Sequence, residues 1–143
     1  MQHHFFADLH WNGGRNDSGT FEAEQLKTEI SIPKEMDGPG IGTNPDEMLL
    51  GAASTCYIIT LAAMIERANH KATLSLKSEG VVDVTNGVFT YETIIYHLTM
   101  HMLEPCEAVK EKLVKLAHKA EQTCMISKAI RGNVEIQLQI NFQ

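Results

Sequence analysis

Clustered lysine and arginine are missing from this chain, and its formal net charge is -6. A protein that tracks a phosphate backbone neutralises it with grouped cations, so nucleic-acid binding and docking on an anionic membrane are both excluded as leading functions. The first residues, Met1-Gln2-His3-His4-Phe5-Phe6, carry neither the basic region nor the apolar run of a secretory leader. A cytoplasmic chain is therefore expected. Internal repeats and low-complexity tracts are also lacking, and one domain over residues 1–143 is expected from the length. The 3 cysteines form no C-x-x-C pair and, being odd in number, no obvious disulfide framework. No histidine is spaced to join them around a metal. His97 and His101 fall on a strand, where they read as surface or half-buried residues.

Hydrophobic periodicity describes an α+β chain. Phe5 to Trp11 alternates and predicts a strand, broken by Asn12-Gly13-Gly14. Further strands are predicted around Thr20–Glu24 and from Leu26 to Ile32, where Pro33 ends the alternation. A glycine-rich loop over residues 33–44 leads to Asn44-Pro45-Asp46-Glu47, which has the form of a helix start: a capping asparagine, proline in the first turn and two acids opposing the dipole. The helix should run to about Ala68 with Leu49, Ala52, Ala53, Cys56, Thr60, Ala63 and Met64 on one face. Tyr57, Ile58, Leu61 and Ile65 make it apolar nearly all round, so a core helix buried on nearly all sides is expected, in preference to a membrane span. Such a helix in so small a chain needs other elements, or a second subunit, to wrap it.

Asn86-Gly87 predicts a long hairpin. Its first strand shows Ala72, Leu74, Leu76, Val82 and Val84 on one face; its second shows Ile94, Tyr96, Leu98, Met100 and Met102. An amphipathic helix is predicted over residues 105–120, with Val109, Leu113, Leu116, Ala117 and Ala120 as its stripe. A short helix over 123–131 and a last strand from Val134 to Phe142 follow, with antiparallel pairing expected throughout.

Taken singly, the candidate chemical groups are ordinary. A cysteine on the apolar face of a helix, as Cys56 is, is commonly inert packing. Cys124 lies near a predicted helix N-terminus, where backbone dipoles favour a thiolate. Cys106, just after Pro105, reads as a bystander, and Arg15 in its loop as a solvated cation.

Together they form a pattern. Gly42-Thr43-Asn44-Pro45-Asp46-Glu47-Met48-Leu49, followed by small residues and Cys56, resembles the reactive-cysteine segment of OsmC/Ohr proteins. The run from Cys124 through Ser127 and Arg131-Gly132-Asn133 to Val134 resembles the second-cysteine segment of that family, and Gly13-Gly14-Arg15 its arginine loop. Asp46 stands where the family carries glutamate, with Glu47 able to substitute, and Met125 stands where proline is common.

The resemblance implies an intertwined homodimer whose sheets wrap central helices, and a peroxidase that works without metal or other cofactor. Cys56 would attack an organic hydroperoxide and become a sulfenic acid; Cys124 would resolve it as a disulfide, and a lipoyl-type or other dithiol would recycle it. Arg15 would stabilise the thiolate, Asp46 would orient Arg15, and Met48 and Leu49 would line the substrate pocket. In one continuous helix, Asp46 and Cys56 are ~15 Å apart along the axis. Either the helix breaks near Gly51 or Asp46 of one subunit serves Cys56 of another. A carrier of small apolar ligands and a thiol-dependent hydrolase are the competing functions.

Overall fold

The computed structural model describes all residues 1–143, which divide into two compact units, Met1–Met48 and Leu49–Gln143. The first holds an antiparallel sheet of β1 (Ala7–Trp11), β2 (Gly19–Ala23) and β3 (Lys27–Ile30). The turn after β1 is tied by the Trp11 indole, which donates to the Gly14 carbonyl at 2.9 Å. Beyond β3 the chain makes a short 3-10 turn, Lys34–Met36, inside the segment expected to be loop. It then returns alongside β3. The buried Ser31 hydroxyl donates to the Ile41 carbonyl at 2.8 Å and accepts from the Ile41 N–H at 2.7 Å. The Thr43 N–H donates to the Glu29 carbonyl at 2.9 Å. Gly42 lies between these two anchors with φ +67°, a conformation open to glycine and costly for other residues.

That return delivers the chain to α1 (Pro45–Arg67). Its start is as expected: Asn44 Oδ1 accepts from the Glu47 N–H at 2.9 Å, and Glu47 accepts from the Thr43 hydroxyl at 2.8 Å. The helix runs unbroken through Gly51, so the first of the two expected ways of reconciling Asp46 with Cys56 does not occur.

The second unit is built on a three-stranded sheet in the order β4 (Ala72–Thr85), β5 (Val88–Met102), β6 (Glu135–Phe142). Asn86 and Gly87 both take positive φ, 51° and 75°, as a tight primed hairpin turn demands. β6 pairs with β5 in parallel, correcting the antiparallel expectation. The two helices between β5 and β6 carry the chain back to the start of the sheet, which is the crossover that parallel pairing requires. A bulge opposite Val81/Val82 leaves Glu92 without a cross-strand partner. Val84, expected on the inner face, is exposed beyond it.

The core of this unit joins Ile94, Tyr96, Leu98, Met100 and Met102 of β5 to Leu113, Ala117 and Ala120 of α2 (Glu107–Thr123). From α1 it takes Ala53, Tyr57, Leu61 and Ile65. The expectation that α1 is buried on nearly all sides fails within one chain: only that single line is buried, Ala52 is exposed, and Cys56 and Thr60 are half-buried. A helix apolar all round gives periodicity no face to choose, and the bulkier Tyr57, Leu61 and Ile65 take the inner line. By length and hydropathy alone α1 could cross a membrane. Core helices of soluble proteins meet the same measure, and α1 bears Ser54, Thr55, Cys56 and Thr60.

Candidate functional site

Cys124 is the residue at which α2 ends and α3 (Met125–Ile130) begins. Its N–H closes α2 on the Ala120 carbonyl at 2.9 Å, and its carbonyl opens α3 by accepting from Lys128 at 3.0 Å. Its φ of -57° and ψ of 131° turn the chain between the two axes. The first N–H groups of any helix have no partner within it. Here those of Met125 and Ile126 are directed to another sulfur, that of Cys56.

Cys56 sits half-buried on α1, one residue before the inward Tyr57. Burial works against its charged form. The Cys124 thiol, the Ile126 N–H, the Thr60 hydroxyl and the Met125 N–H all hydrogen-bond the sulfur, and together they outweigh burial and hold the thiol below its ordinary pKa. Two sulfurs far apart in sequence are thus brought within hydrogen-bonding reach, both as free thiols. A cysteine in this setting is ready for nucleophilic and redox chemistry, with a second thiol beside it.

Three stabilising groups were not read from the sequence. Thr60 lies four residues after Cys56, one helical turn on, and that spacing was a usable signal. The Met125 and Ile126 N–H groups become available only when the break at Cys124 is seen. Tyr96 packs against Tyr57, the neighbour of Cys56. It is fully buried, its ring stacks on Tyr57 at 4.8 Å between centroids with 13° between planes, and its hydroxyl has no hydrogen-bond partner.

The remaining predicted residues lie as follows. Arg15 is exposed in the loop after β1. Its guanidinium donates to the Met36 carbonyl at 2.8 Å, the Asp37 carbonyl at 3.3 Å and Asn16 Oδ1 at 2.8 Å. It is therefore pinned to the 3-10 turn. Asp46 is half-buried in the first turn of α1, and Glu47 is engaged by Thr43 at the helix start. Met48 and Leu49 are half-buried. Cys106 is exposed, where it precedes α2 in an extended conformation. His97 is half-buried and His101 exposed, its Nδ1 3.0 Å from the Gln143 carbonyl. No three His, Cys, Asp or Glu side chains gather where they could hold a metal ion.

The OsmC-like protein family model matches residues 38–139, which include both cysteines of the pair. An uncharacterized Bacillus subtilis protein, YmaD, is 58% identical over 139 residues, covering 96% of this chain and 93% of its own length. Organic hydroperoxide resistance protein-like 2 of Staphylococcus epidermidis is 31% identical, covering 92% of each chain. Among solved structures, an organic hydroperoxide resistance protein from Elizabethkingia anophelis superposes with a TM-score of 0.78 at 25% identity, covering 100% of both chains. The two cysteine segments, the strand and helix order and these end-to-end matches agree, and the chain belongs to the OsmC/Ohr family.

Proposed function

We propose that this protein is a thiol peroxidase that reduces organic hydroperoxides to alcohols. The observation that carries the reading is the pairing of Cys56 with Cys124, in which the attacking sulfur is stabilised as a thiolate and the resolving sulfur is already in reach. The name of the Staphylococcus epidermidis relative supports the substrate class.

The Cys56 thiolate attacks the distal peroxide oxygen. The O–O bond breaks, sulfur is oxidised to the sulfenic acid, and the alkoxide leaves as the alcohol after taking a proton. Cys124 then displaces the hydroxyl of the sulfenic acid, forming a disulfide and water. A dithiol of lipoyl type, or another thiol, returns both cysteines to the reduced state.

Arg15, held on the Met36 and Asp37 carbonyls, adds positive charge where negative charge develops on the peroxide, with Asp46 as its carboxylate partner in the assembled site. With α1 unbroken, Asp46 and Cys56 are ~15 Å apart along the helix axis, so Asp46 serves the thiol of a second copy. Two features support a homodimer. β1 leaves Leu9 and Trp11 exposed next to Phe5 and Phe6, and α1 leaves Ile59 exposed. Large apolar side chains left bare on each of these elements favour burial against a second copy. The half-buried Met48 and Leu49 supply an apolar approach that favours organic hydroperoxides over hydrogen peroxide.

The test is oxidation with a slight excess of an organic hydroperoxide, followed by intact mass and peptide mapping. Loss of two hydrogens with a Cys56–Cys124 link is expected. Cys56→Ser should abolish turnover, and Cys124→Ser should accumulate Cys56 carrying added oxygen. An unmodified Cys56 would favour the ligand-carrier function. Light scattering checks the dimer, and a monomer at working concentration would sink the shared site.

A further inference from the structure

Where α2 gives way to α3, the backbone has exchanged hydrogen-bond partners. A helix bonds each N–H to the carbonyl four residues back. α2 keeps that rule as far as Cys124, whose N–H reaches the Ala120 carbonyl at 2.9 Å. The next bond would join the Met125 N–H to the Glu121 carbonyl, and the one after it Ile126 to Gln122. The chain turns at Cys124 instead, with φ -57° and ψ 131°. The two N–H groups go to the Cys56 sulfur. The two carbonyls they leave are taken by one side chain. The Arg131 guanidinium donates to the Gln122 carbonyl at 3.1 Å and to the Glu121 carbonyl at 3.4 Å.

Arg131 is suited to that substitution. A guanidinium holds several donors in a rigid fork. Here Nη1 takes one carbonyl and Nη2 the other, and Nη2 also meets Glu121 Oε1 at 3.4 Å. The base of the side chain is fixed as well. Arg131 caps α3 directly after Ile130, which packs on the core and whose carbonyl accepts from the Asn133 and Val134 N–H groups at 3.1 Å. Glu121 is half-buried, so water replaces the guanidinium poorly there. These hydrogen bonds of Arg131 all run to α2, so it acts on the sulfurs through the chain.

We propose that Arg131 is a positioning residue of the thiol pair, holding the Glu121 and Gln122 carbonyls so that the Met125 and Ile126 N–H groups are released to Cys56. The inference rests on the peroxidase reading and deepens it, since the same bonds keep Cys124 at its corner. Without the guanidinium, two carbonyls at the end of α2 lose their donors, a cost that the chain relieves by extending α2 through Cys124. Extension takes both N–H groups from the Cys56 sulfur and carries the Cys124 thiol out of the corner.

Arg131→Met keeps the stem and removes the fork. In a Cys106→Ser background, alkylation of Cys56 followed by peptide mass should show its midpoint displaced upward. The rate at neutral pH should fall at least about fivefold, as two donors to a charged sulfur are weakened. Amide resonances of Met125 and Ile126 give the readout that a packing role would not move. In the parent they should titrate with Cys56; in the variant they should lose most of that response. An unshifted midpoint in the folded variant overturns the proposal. So does a raised midpoint with both amides still following Cys56, which would make Arg131 a through-space charge. Should the methionine variant fail to fold, Arg131→Lys keeps the charge on a single nitrogen. It should slow alkylation at least about twofold and weaken the amide response, and parental values for both would overturn the proposal equally. Neither readout uses peroxide. A parent that forms no sulfenic acid or disulfide with an organic hydroperoxide therefore removes the peroxidase reading itself, a result distinct from unmoved amides and an unmoved midpoint.

Discussion

The Tyr57 hydroxyl donates to the Ala117 carbonyl at 3.0 Å and so struts α1 against α2. Tyr57 follows Cys56 on α1, and Ala117 lies two turns before Cys124, so the strut sets the separation of the two helices that carry the thiols. Burial pushes the Tyr57 phenol pKa upward, and the neighbouring Tyr96 and Glu121 add to that, so it is a donor at any working pH. Tyr57→Phe keeps the ring and its stack on Tyr96 while dropping the bond. Urea unfolding should show a loss of about 1 kcal/mol, and closure of the Cys56–Cys124 disulfide should slow. A variant of parental stability and parental closure rate would show that packing alone holds the helices.

Gly42 supports a prediction about the segment that feeds α1. Its φ of +67° is unfavourable for a residue with a side chain, and a Cβ there would collide with the Glu29 carbonyl. The collision is with backbone of β3, which the Thr43 N–H also bonds, so neither partner can move alone. Gly42→Ala should therefore cost at least about 1–3 kcal/mol. Chemical denaturation measures this, and a loss below about 0.5 kcal/mol would mean that the loop has another conformation available.

Much of this was legible in the residues, and the reasons differ from element to element. The buried line Ile94, Tyr96, Leu98, Met100 and Met102 was readable because a strand has a period of two and its inner face is strictly apolar. Asn44 was readable as a cap because its chemistry is local. The inner line of α1 was not, since apolar residues surround that helix and burial is decided by what packs on it. The direction of β6 was hidden for the same reason: a single alternating strand reads alike in parallel and antiparallel pairing. The hydrogen bonds at Cys56 depend on the chain break at Cys124, which brings sequence-distant N–H groups to the sulfur. The family resemblance linked the two cysteines, and only the fold showed what stabilises the first one.

Cys106 precedes α2 as its N-cap in extended conformation, with no side-chain bond to the helix. A serine hydroxyl accepts from the first free N–H groups far better than a thiol does. Cys106→Ser should leave the products of peroxide oxidation unchanged and raise stability by about 0.5–1 kcal/mol. Peptide maps of the oxidised variant and its thermal unfolding test both parts. A lost or rerouted disulfide would give Cys106 a place in the chemistry.

Thr60 offers the most direct check on how Cys56 is made reactive. Burial opposes the thiolate, and the bonds from Cys124, the Ile126 N–H, Thr60 and the Met125 N–H overcome it. Thr60→Val is nearly isosteric and removes one of the four donors. The thiolate loses stabilisation that the thiol does not, so the pKa must rise. Alkylation of Cys56 by iodoacetamide, followed against pH in a Cys106→Ser background, should show a midpoint displaced upward and a slower rate at neutral pH. Linkage gives a second sign to check. The parent's folded-state pKa lies below that of the unfolded chain, so between the two values the unfolded chain binds more protons and stability rises with pH. That contribution is present above the unfolded-state value and is lost as pH falls through the folded-state one. Cys56→Ser should flatten the rise, and Thr60→Val should narrow its pH window. An alkylation profile identical in parent and Thr60→Val would mean that the backbone groups and Cys124 alone hold the charge.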